Sequence, residues 1–335
     1  MAVLVTGGCG YIGSHVVLAL LEAGRSVIVL DNLSNSSRES LRRIESKLEV
    51  KIPFVFGDVR DRKCLANLFG KYSVNSVIHL AGLKSVANSN IRPLEYYDNN
   101  VHGTSELLLE MDSVGIRNFV FSSSATVYGN ENSIPYKESA SLGYQSSPYG
   151  RTKAIVEGLL KDLVSSDGRW AICSLRYFNP VGAHPSGIIG EDPLGVPDNL
   201  MPFITQVALG KRSKLSIFGG DYPTPDGSCR RDYLHVLDLA EGHVAALDKL
   251  VTGYETFNLG TGRPVSVIEL VLSFSDTTGI VIPYEFSDRR KGDLPEFWAD
   301  VSKAEKYLGW KAKRGLKDMI IDSWNWQNKN PNGYV

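Results

Sequence analysis

"AVLVTGGCGYIG", residues 2–13, decides how this chain is read. A run of aliphatic and β-branched residues ends at Thr6, glycines follow at 7, 10 and 13, and the helical pattern "IGSHVVLALLEAG" begins at once. A strand that turns so tightly into a helix needs glycines, because a bare backbone lets N–H groups approach a pyrophosphate seated on the helix N-terminus. A glycine triplet alone says little. Here it ends the first strand, and eighteen residues past Gly13 the second strand closes in "VLDN" with Asp31. A carboxylate at that place accepts a hydrogen bond from an adenosine ribose 2′-hydroxyl and repels a 2′-phosphate, which favours NAD over NADP.

Outward from this turn, β-branched runs alternate with helical stripes. Strands are expected at 2–6, 26–30, 54–56, 76–80, 119–124 and 171–178, with helices at 12–24, 38–48, 61–71, 93–115 and 148–165. That alternation predicts an α/β fold: a Rossmann-type doubly wound parallel sheet with helices on both faces. After Phe178 the texture changes to "NPVGAHPSG", "EDPLGVPDNLMP" and "GGDYPTPDGS". Aromatic and aliphatic residues interrupt these Pro- and Gly-rich segments every few positions, as in ordered binding loops. A helical run at 236–250 and the strand-like "TFNLG" at 256–260 return to the first sheet. The expected organisation is a nucleotide-binding domain over 1–180, with 233–262 returning to it. A smaller, loop-rich α/β C-terminal substrate domain is expected from 181–232 and 263–335.

The chain has 335 residues, 43% of them hydrophobic and 22% charged, and a net charge of −1. These values suit a globular protein and leave no basic footprint for nucleic acid. Apolar stretches such as "VVLALL" at 16–21 are far too short to span a membrane, and the N-terminus lacks a secretory pattern. Cysteines at 9, 64, 173 and 229 have no CxxC spacing, so a reduced, cytoplasmic protein is expected. The six histidines (15, 79, 102, 184, 235, 243) show no metal-ligand spacing, and no metal is expected.

The chemistry lies in "SSPYGRTK", residues 146–153. If a helix starts near Pro148, Tyr149 and Lys153 share a face, with the ammonium over the phenol. A free phenol titrates near 10, so a base near neutrality needs its phenolate stabilised by roughly 4 kcal/mol, about three pKa units. The lysine supplies part of that, and an oxidised nicotinamide ring carries a second positive charge. The bland alternative is an amphipathic core tyrosine beside a solvated lysine, and the nucleotide pattern weighs against it. Asp58 in "FGDV" and the segment "LAGLK" at 80–84 end the third and fourth strands, within reach of an adenine and of the pyrophosphate and nicotinamide ribose.

Together "TGGCGYIG", "LAGLKSV", "PLEYYDNNV", "FSSSATVYG", "SPYGRTK", "LRYFNPVGAHPSG" and "RRDYLHVLDLAEGH" resemble the UDP-galactose (UDP-glucose) 4-epimerases of the extended short-chain dehydrogenase/reductase superfamily, from residue 1 to about 330. The resemblance implies a tightly bound NAD that oxidises C4 of a UDP-hexose. The 4-keto sugar then rotates and is re-reduced on the opposite face. It makes Ser124, Tyr149 and Lys153 catalytic: Ser124 bonds the reacting oxygen, Tyr149 takes the proton, and Lys153 holds the phenolate and the cofactor ribose. The implied cofactor set is Gly7, Gly10, Tyr11, Ile12, Gly13, Asp31, Asn32, Asn35, Ser36, Asp58, Val59, Leu80, Ala81, Gly82, Lys84, Asn99, Ser122, Tyr149, Lys153, Tyr177 and Phe178. The implied substrate set is Lys84, Ser124, Tyr149, Phe178, Asn179, Asn199, Leu200, Ser216, Phe218, Arg231, Tyr233, Arg290, Asp293 and Phe297. Within it, Arg231 and Arg290 suit a diphosphate, since guanidinium pairs bidentately with phosphate oxygens. Leu200 and Phe218 would sandwich uracil, and Asp293 would reach the uridine ribose.

Related 4,6-dehydratases carry an Asp-Glu pair directly before "VYG"; here Ala125 and Thr126 stand there, and neither shuttles a proton near neutrality. In the family, the residue after "GDLPE" gates the sugar pocket, and here it is Phe297, a bulky side chain without the usual tyrosine hydroxyl. Preference for UDP-galactose and UDP-glucose over UDP-N-acetylhexosamines is expected. The alternatives are a 4-epimerase acting on UDP-GlcNAc and UDP-GalNAc or on another UDP-sugar, and a non-catalytic NAD-sensing protein. Intact Ser124, Tyr149 and Lys153 argue against the last. By analogy, helices near 100–115 and 150–165 pair two subunits into a homodimer.

Overall fold

The computed structural model describes residues 1–130, 133–290 and 292–334. The aliphatic run at the start forms β1 (Ala2–Thr6), buried from Val3 onward, as befits a strand covered on both faces. There follow α1 (Tyr11–Glu22), β2 (Val27–Asp31), α2 (Glu39–Leu48), β3 (Phe54–Phe56), α3 (Arg62–Lys71) and β4 (Val74–His79). Next come α4 (Val86–Ile91), α5 (Pro93–Tyr96), a π-helical turn (Tyr97–His102), α6 (Gly103–Ser113), β5 (Asn118–Ser124), a 3-10 turn (Ala125–Tyr128), α7 (Pro148–Ser166) and β6 (Ala171–Tyr177). The second half holds β7 (Asn179–Val181), α8 (Leu200–Ala208), β8 (Leu215–Phe218), β9 (Arg230–Arg231), β10 (Tyr233–His235), α9 (Val236–Asp248) and β11 (Gly253–Leu259). It closes with β12 (Val265–Ser266), α10 (Val267–Thr278), β13 (Tyr284–Ser287), β14 (Glu296–Phe297), α11 (Ser302–Leu308) and α12 (Leu316–Lys329).

Seven parallel strands make one sheet in the order β3-β2-β1-β4-β5-β6-β11. The order reverses at β1, which pairs with β2 on one side and β4 on the other, and this switch point opens a crevice at the carboxyl ends. Register makes those ends level: Thr6 faces Leu30 in β2 and His79 in β4, and Ser124 of β5 faces Tyr177 of β6. One apolar layer packs Val16, Val17 and Leu20 of α1, Leu41 and Ile44 of α2 and Leu239 of α9 on one face. The other packs Leu65 and Leu68 of α3, Leu107 and Met111 of α6 and Val156 and Leu160 of α7 on the opposite face. A third cluster, built on Ile204, Ile217, Leu270, Phe274 and Ile320, holds α8, β8, α10 and α12 together.

The single helix expected over 93–115 is corrected to α5, the π-helical turn and α6. Gly103 at the junction packs on Val59, where a Cβ would lie 2.9 Å from a methyl carbon. A π-turn widens the helix by one residue and re-aims the side chains it carries, and here it directs Asn100 at the backbone of Leu83.

Besides His235, which pairs with Asp322, three histidines are buried: His15, His79 and His243. Burial lowers their pKa values to about 3, about 3 and about 4. An unfolded histidine titrates near 6.5, so the unfolded chain binds these protons more readily. The stability they confer is complete above about 6.5 and is lost as pH falls from there toward 4 and 3. Each contributes a slope of about 1.4 kcal/mol per pH unit. Scanning calorimetry of the cofactor-loaded protein should therefore show Tm falling between pH 7 and pH 5; a flat Tm across that range contradicts the assignment.

Candidate active site

The turn after β1 is a backbone cradle. Gly7 has φ 72°, and a Cβ on it would meet the Ala81 amide at 2.7 Å; a Cβ on Gly13 would overlap the Gly7 carbonyl oxygen. Gly10 is the N-cap of α1 and brings no side-chain cap, so the first-turn N–H groups of Tyr11, Ile12 and Gly13 point at the cradle without an intrahelical acceptor. Tyr11 donates its hydroxyl to the Gly182 carbonyl at 2.7 Å. Asp31 ends β2 and accepts from the Cys9 amide (2.9 Å), the Leu33 amide (2.8 Å) and the Ser36 hydroxyl (2.8 Å), bonds that hold its carboxylate at the rim. Cradle, uncapped helix and rim carboxylate fit a dinucleotide with a free ribose 2′-hydroxyl. Asn32 donates to Asp58 at 2.9 Å, and Arg60 pairs with Asp58 at 2.8 Å, holding that carboxyl well below the usual carboxylate range. Val59 is buried beneath this pair, whereas Asn35 is exposed.

Below Leu80, Ala81 and Gly82 runs a buried chain of hydrogen bonds. Thr104 donates to the Asn100 carbonyl at 2.6 Å, which leaves its oxygen to accept from His79 Nε2 at 2.9 Å. His79 Nδ1 then accepts from the Thr6 hydroxyl at 2.7 Å, and Thr6 Oγ1 in turn accepts the Ala81 amide at 3.3 Å. Burial keeps this histidine neutral, so one tautomer satisfies every link. Asn100 clamps the same loop: its Oδ1 accepts from the Leu83 amide at 2.8 Å, and its Nδ2 donates to the Leu83 carbonyl at 3.0 Å and to Thr152 at 3.1 Å. Sequence reasoning singled out Asn99, which is half-buried in the π-turn. Its neighbour Asn100, which ties the β4 loop to α7, was missed because its aim depends on that irregular turn.

The Tyr149 helix begins as expected. Ser147 caps it, accepting from the Gly150 amide at 3.2 Å, with Pro148 at the first position. Lys153 is buried, its Nζ donating to the Ser122 carbonyl at 2.6 Å and lying 5.9 Å from the Tyr149 ring centroid. Burial lowers its pKa to about 8, with Glu157 opposing the shift. Burial also pushes Tyr149 up to about 12, against a hydrogen bond from Ser124 that lowers it. Ser124 itself is oriented by Thr126, whose amide (3.2 Å) and hydroxyl (3.0 Å) both reach its Oγ. The two pKa values thus move apart, so burial disfavours the charged form of both groups. In the protein alone the phenol stays protonated at neutrality, because desolvation outweighs an ammonium bonded to the Ser122 carbonyl.

The second half brings further residues to the crevice. Asn179 of β7 lies in register with Tyr233 of β10, whose ring is buried. Asn199, the N-cap of α8, donates to Glu191 at 2.6 Å, and Lys84 pairs with the same Glu191 oxygen at 3.2 Å; Leu200 follows as the first helical residue. Ser85 donates to Asp198 at 2.9 Å. Glu191 therefore links residues expected on opposite sides of the site, and no local pattern in the sequence marked it. Arg231 of β9 pairs with Asp293 and donates to the Leu294 carbonyl at 2.9 Å. The Arg290 guanidinium lies 4.1 Å over the Phe218 ring, while Ser216 on the same strand is exposed. Phe297, in register with Arg231, lies between Tyr136 (4.7 Å) and Phe178 (5.2 Å). Tyr177 is buried, with its hydroxyl 2.5 Å from His243 Nε2. Among the described residues no group of histidine, cysteine, aspartate or glutamate side chains is arranged to hold a metal ion, and no helix is long and apolar enough to cross a membrane.

Residues 3–260 match the NAD dependent epimerase/dehydratase family. The chain is 52% identical to a UDP-glucose 4-epimerase of Erwinia amylovora across 99% of both proteins. It is also 52% identical to one of Bacillus subtilis, across 100% of this chain and 99% of that one. A crystal structure of UDP-glucose 4-epimerase from Bifidobacterium longum in complex with NAD+ and UDP superposes with a TM-score of 0.96 at 46% identity, covering 99% of this chain and 100% of that one.

Proposed function

The chain belongs to the NAD dependent epimerase/dehydratase family, and from that premise we propose that it interconverts UDP-galactose and UDP-glucose by inversion at C4. The observation that carries the reading is the convergence of Ser124, Tyr149 and Lys153 beside the glycine cradle, at the carboxyl ends of β1, β4 and β5. Bound beside Ser124, Tyr149 and Lys153, NAD would supply the hydride acceptor and donor for C4, and its oxidised ring would add a second positive charge to that of Lys153. Ser124 bonds the C4 oxygen and Tyr149 removes its proton. With the pair's pKa values at about 12 and about 8, a second fixed cation favours the phenolate. Lys153 holds that oxygen and the cofactor ribose.

Inversion needs a sugar held loosely and a nucleotide held tightly, so the binding energy comes from the UDP portion. We assign Arg231 and Arg290 to the diphosphate, the Phe218 face to uracil and Asp293 to the uridine ribose. Arg290 over Phe218 and Arg231 on Asp293 then exchange these internal partners for the nucleotide. Incubating the purified protein with UDP-galactose and following UDP-glucose through a coupled dehydrogenase tests the reading; absence of conversion overturns it.

We assign the sugar gate to Phe297, wedged against Phe178 and Tyr136. Phe297→Ser should raise the ratio of UDP-GalNAc to UDP-galactose turnover by about tenfold or more, the scale set by steric fit in a pocket. An unchanged ratio would remove the gate from that position. A homodimer formed through α6 and α7 fits the apolar Leu109 and Ile155, which stand 47% and 45% exposed on those helices; sedimentation equilibrium of the purified protein at the monomer mass contradicts it. We place the protein in the cytoplasm, where its four free cysteines stay reduced; recovery from another compartment on cell fractionation contradicts that.

A further inference from the structure

Tyr149, Lys153 and Glu157 follow one another at intervals of four on α7 and so share one face of the helix. The first two carry the chemistry proposed above, and Glu157 lies one turn further along. It is fully buried, and its carboxylate accepts from Ser123 Oγ (2.6 Å), Arg176 Nε (2.9 Å) and Arg176 Nη2 (2.5 Å). Ser123 sits on β5 between Ser122, whose carbonyl holds Lys153, and Ser124, which bonds Tyr149. Glu157 therefore fastens the catalytic helix to the catalytic strand between its two functional neighbours, and to β6 through Arg176.

A buried ion pair is a poor device for stability alone, because desolvating both charges offsets their attraction. The Arg176 guanidinium also lies 4.7 Å over the Tyr128 ring. Around the reacting pair stand Ser122, Ser123 and Ser124 from β5, Arg176 and Tyr177 from β6, neutral His79 from β4 and Tyr96 from α5. Among these groups, with Tyr128 of the 3-10 turn and Tyr254 of β11, Glu157 is the one acid; the other acid of α7, Asp162, is exposed.

We propose that Glu157 is a positioning residue for the C4 chemistry: it sets α7 in register with β5 and β6, and its negative charge keeps the buried Lys153 protonated. The inference rests on the reading of Tyr149 as the base. Removing a negative charge here favours the neutral amine of Lys153 and the phenolate of Tyr149, so both titrations move to lower pH.

The test is Glu157→Gln, which keeps the shape of the side chain and an acceptor oxygen. The pH profile of kcat/KM with UDP-galactose is measured beside a tyrosinate ultraviolet titration, taken as the difference from a Tyr149→Phe partner. Both limbs and the tyrosinate titration should move about one unit to lower pH with bound NAD unchanged; profiles that overlay the wild type overturn the proposal. Glu157→Asp keeps the charge and the ion pair, and provides the readout should the glutamine variant not fold. Its limbs should stay at wild-type positions, with kcat reduced about tenfold and KM unchanged; raised KM at unchanged kcat overturns the positioning role. Should the wild type not invert C4, the parent reading fails, and the tyrosinate titration alone still decides the charge effect.

Discussion

Tyr149→Phe should lower kcat for UDP-galactose inversion by about 1,000-fold, leave KM within a factor of a few, and leave the bound cofactor in place. The substitution removes one oxygen and keeps the ring, so the packing around it persists. What disappears is the acceptor for the C4 hydroxyl proton, and positioned proton transfer is worth about 10² to 10⁴ in rate. A loss confined to kcat is the sign of an interaction made in the transition state. Ser124 remains but cannot substitute, because its Oγ already takes two bonds from Thr126 and a neutral hydroxyl is a poor base near pH 7. The pH dependence follows from the same pair. Activity rises as Tyr149 ionises, from a start pushed up to about 12 that a cofactor cation must lower, and it falls as Lys153 loses its proton, from about 8 in the protein alone. Steady-state kinetics with NAD quantified in the same samples check this. A variant within tenfold of wild type would remove Tyr149 from the base role and leave Lys153 without a function in the scheme.

Gly13→Ala should yield protein with less than about a tenth of the wild-type NAD content, and inactive to the same degree. The added methyl has nowhere to go. Its carbon would overlap the Gly7 carbonyl oxygen and press on the Gly8 Cα at 2.8 Å, and both neighbours are backbone, which cannot rotate aside. The turn must open, at a cost of about 1–3 kcal/mol for overpacking, and the first-turn amides of α1 then no longer converge on a pyrophosphate. Gly158→Ala makes the matched control. It lies within α7 with nothing within 4 Å of a new Cβ, so it should keep full NAD content and gain up to about 1 kcal/mol in stability from helix propensity. Extraction and quantification of cofactor, with Tm for both variants, separates the two. Normal NAD retention in Gly13→Ala would mean that the cradle is not the pyrophosphate site.

Pairings that shape the crevice arise where the chain is least regular. Glu191 lies in the loop segment before α8 and meets Lys84 across 107 residues of sequence. Asn100 meets Leu83 across 17, through a π-turn that the uninterrupted pattern at 93–115 concealed. Apolar periodicity reports which face of a helix is buried. It carries no information about a one-residue bulge, which changes the aim of a side chain without changing the face it belongs to.

What the amino-acid order determined by itself was local. The alternation of strand and helix, the glycine turn after the first strand, the acid at the end of the second, and Tyr149 one turn from Lys153 behind Pro148 all follow from short-range rules: φ freedom, a 3.6-residue period and helix capping. Tertiary structure decided the electrostatics. Tyr149 rises to about 12 and Lys153 falls to about 8 because strands and helices distant in the chain exclude water from both. Lys153 settles on a carbonyl 31 residues away, and Glu157 is fixed by an arginine 19 residues away. Desolvation depends on everything packed around a group, so the sequence names the titratable pair while the folded surroundings determine when each is charged.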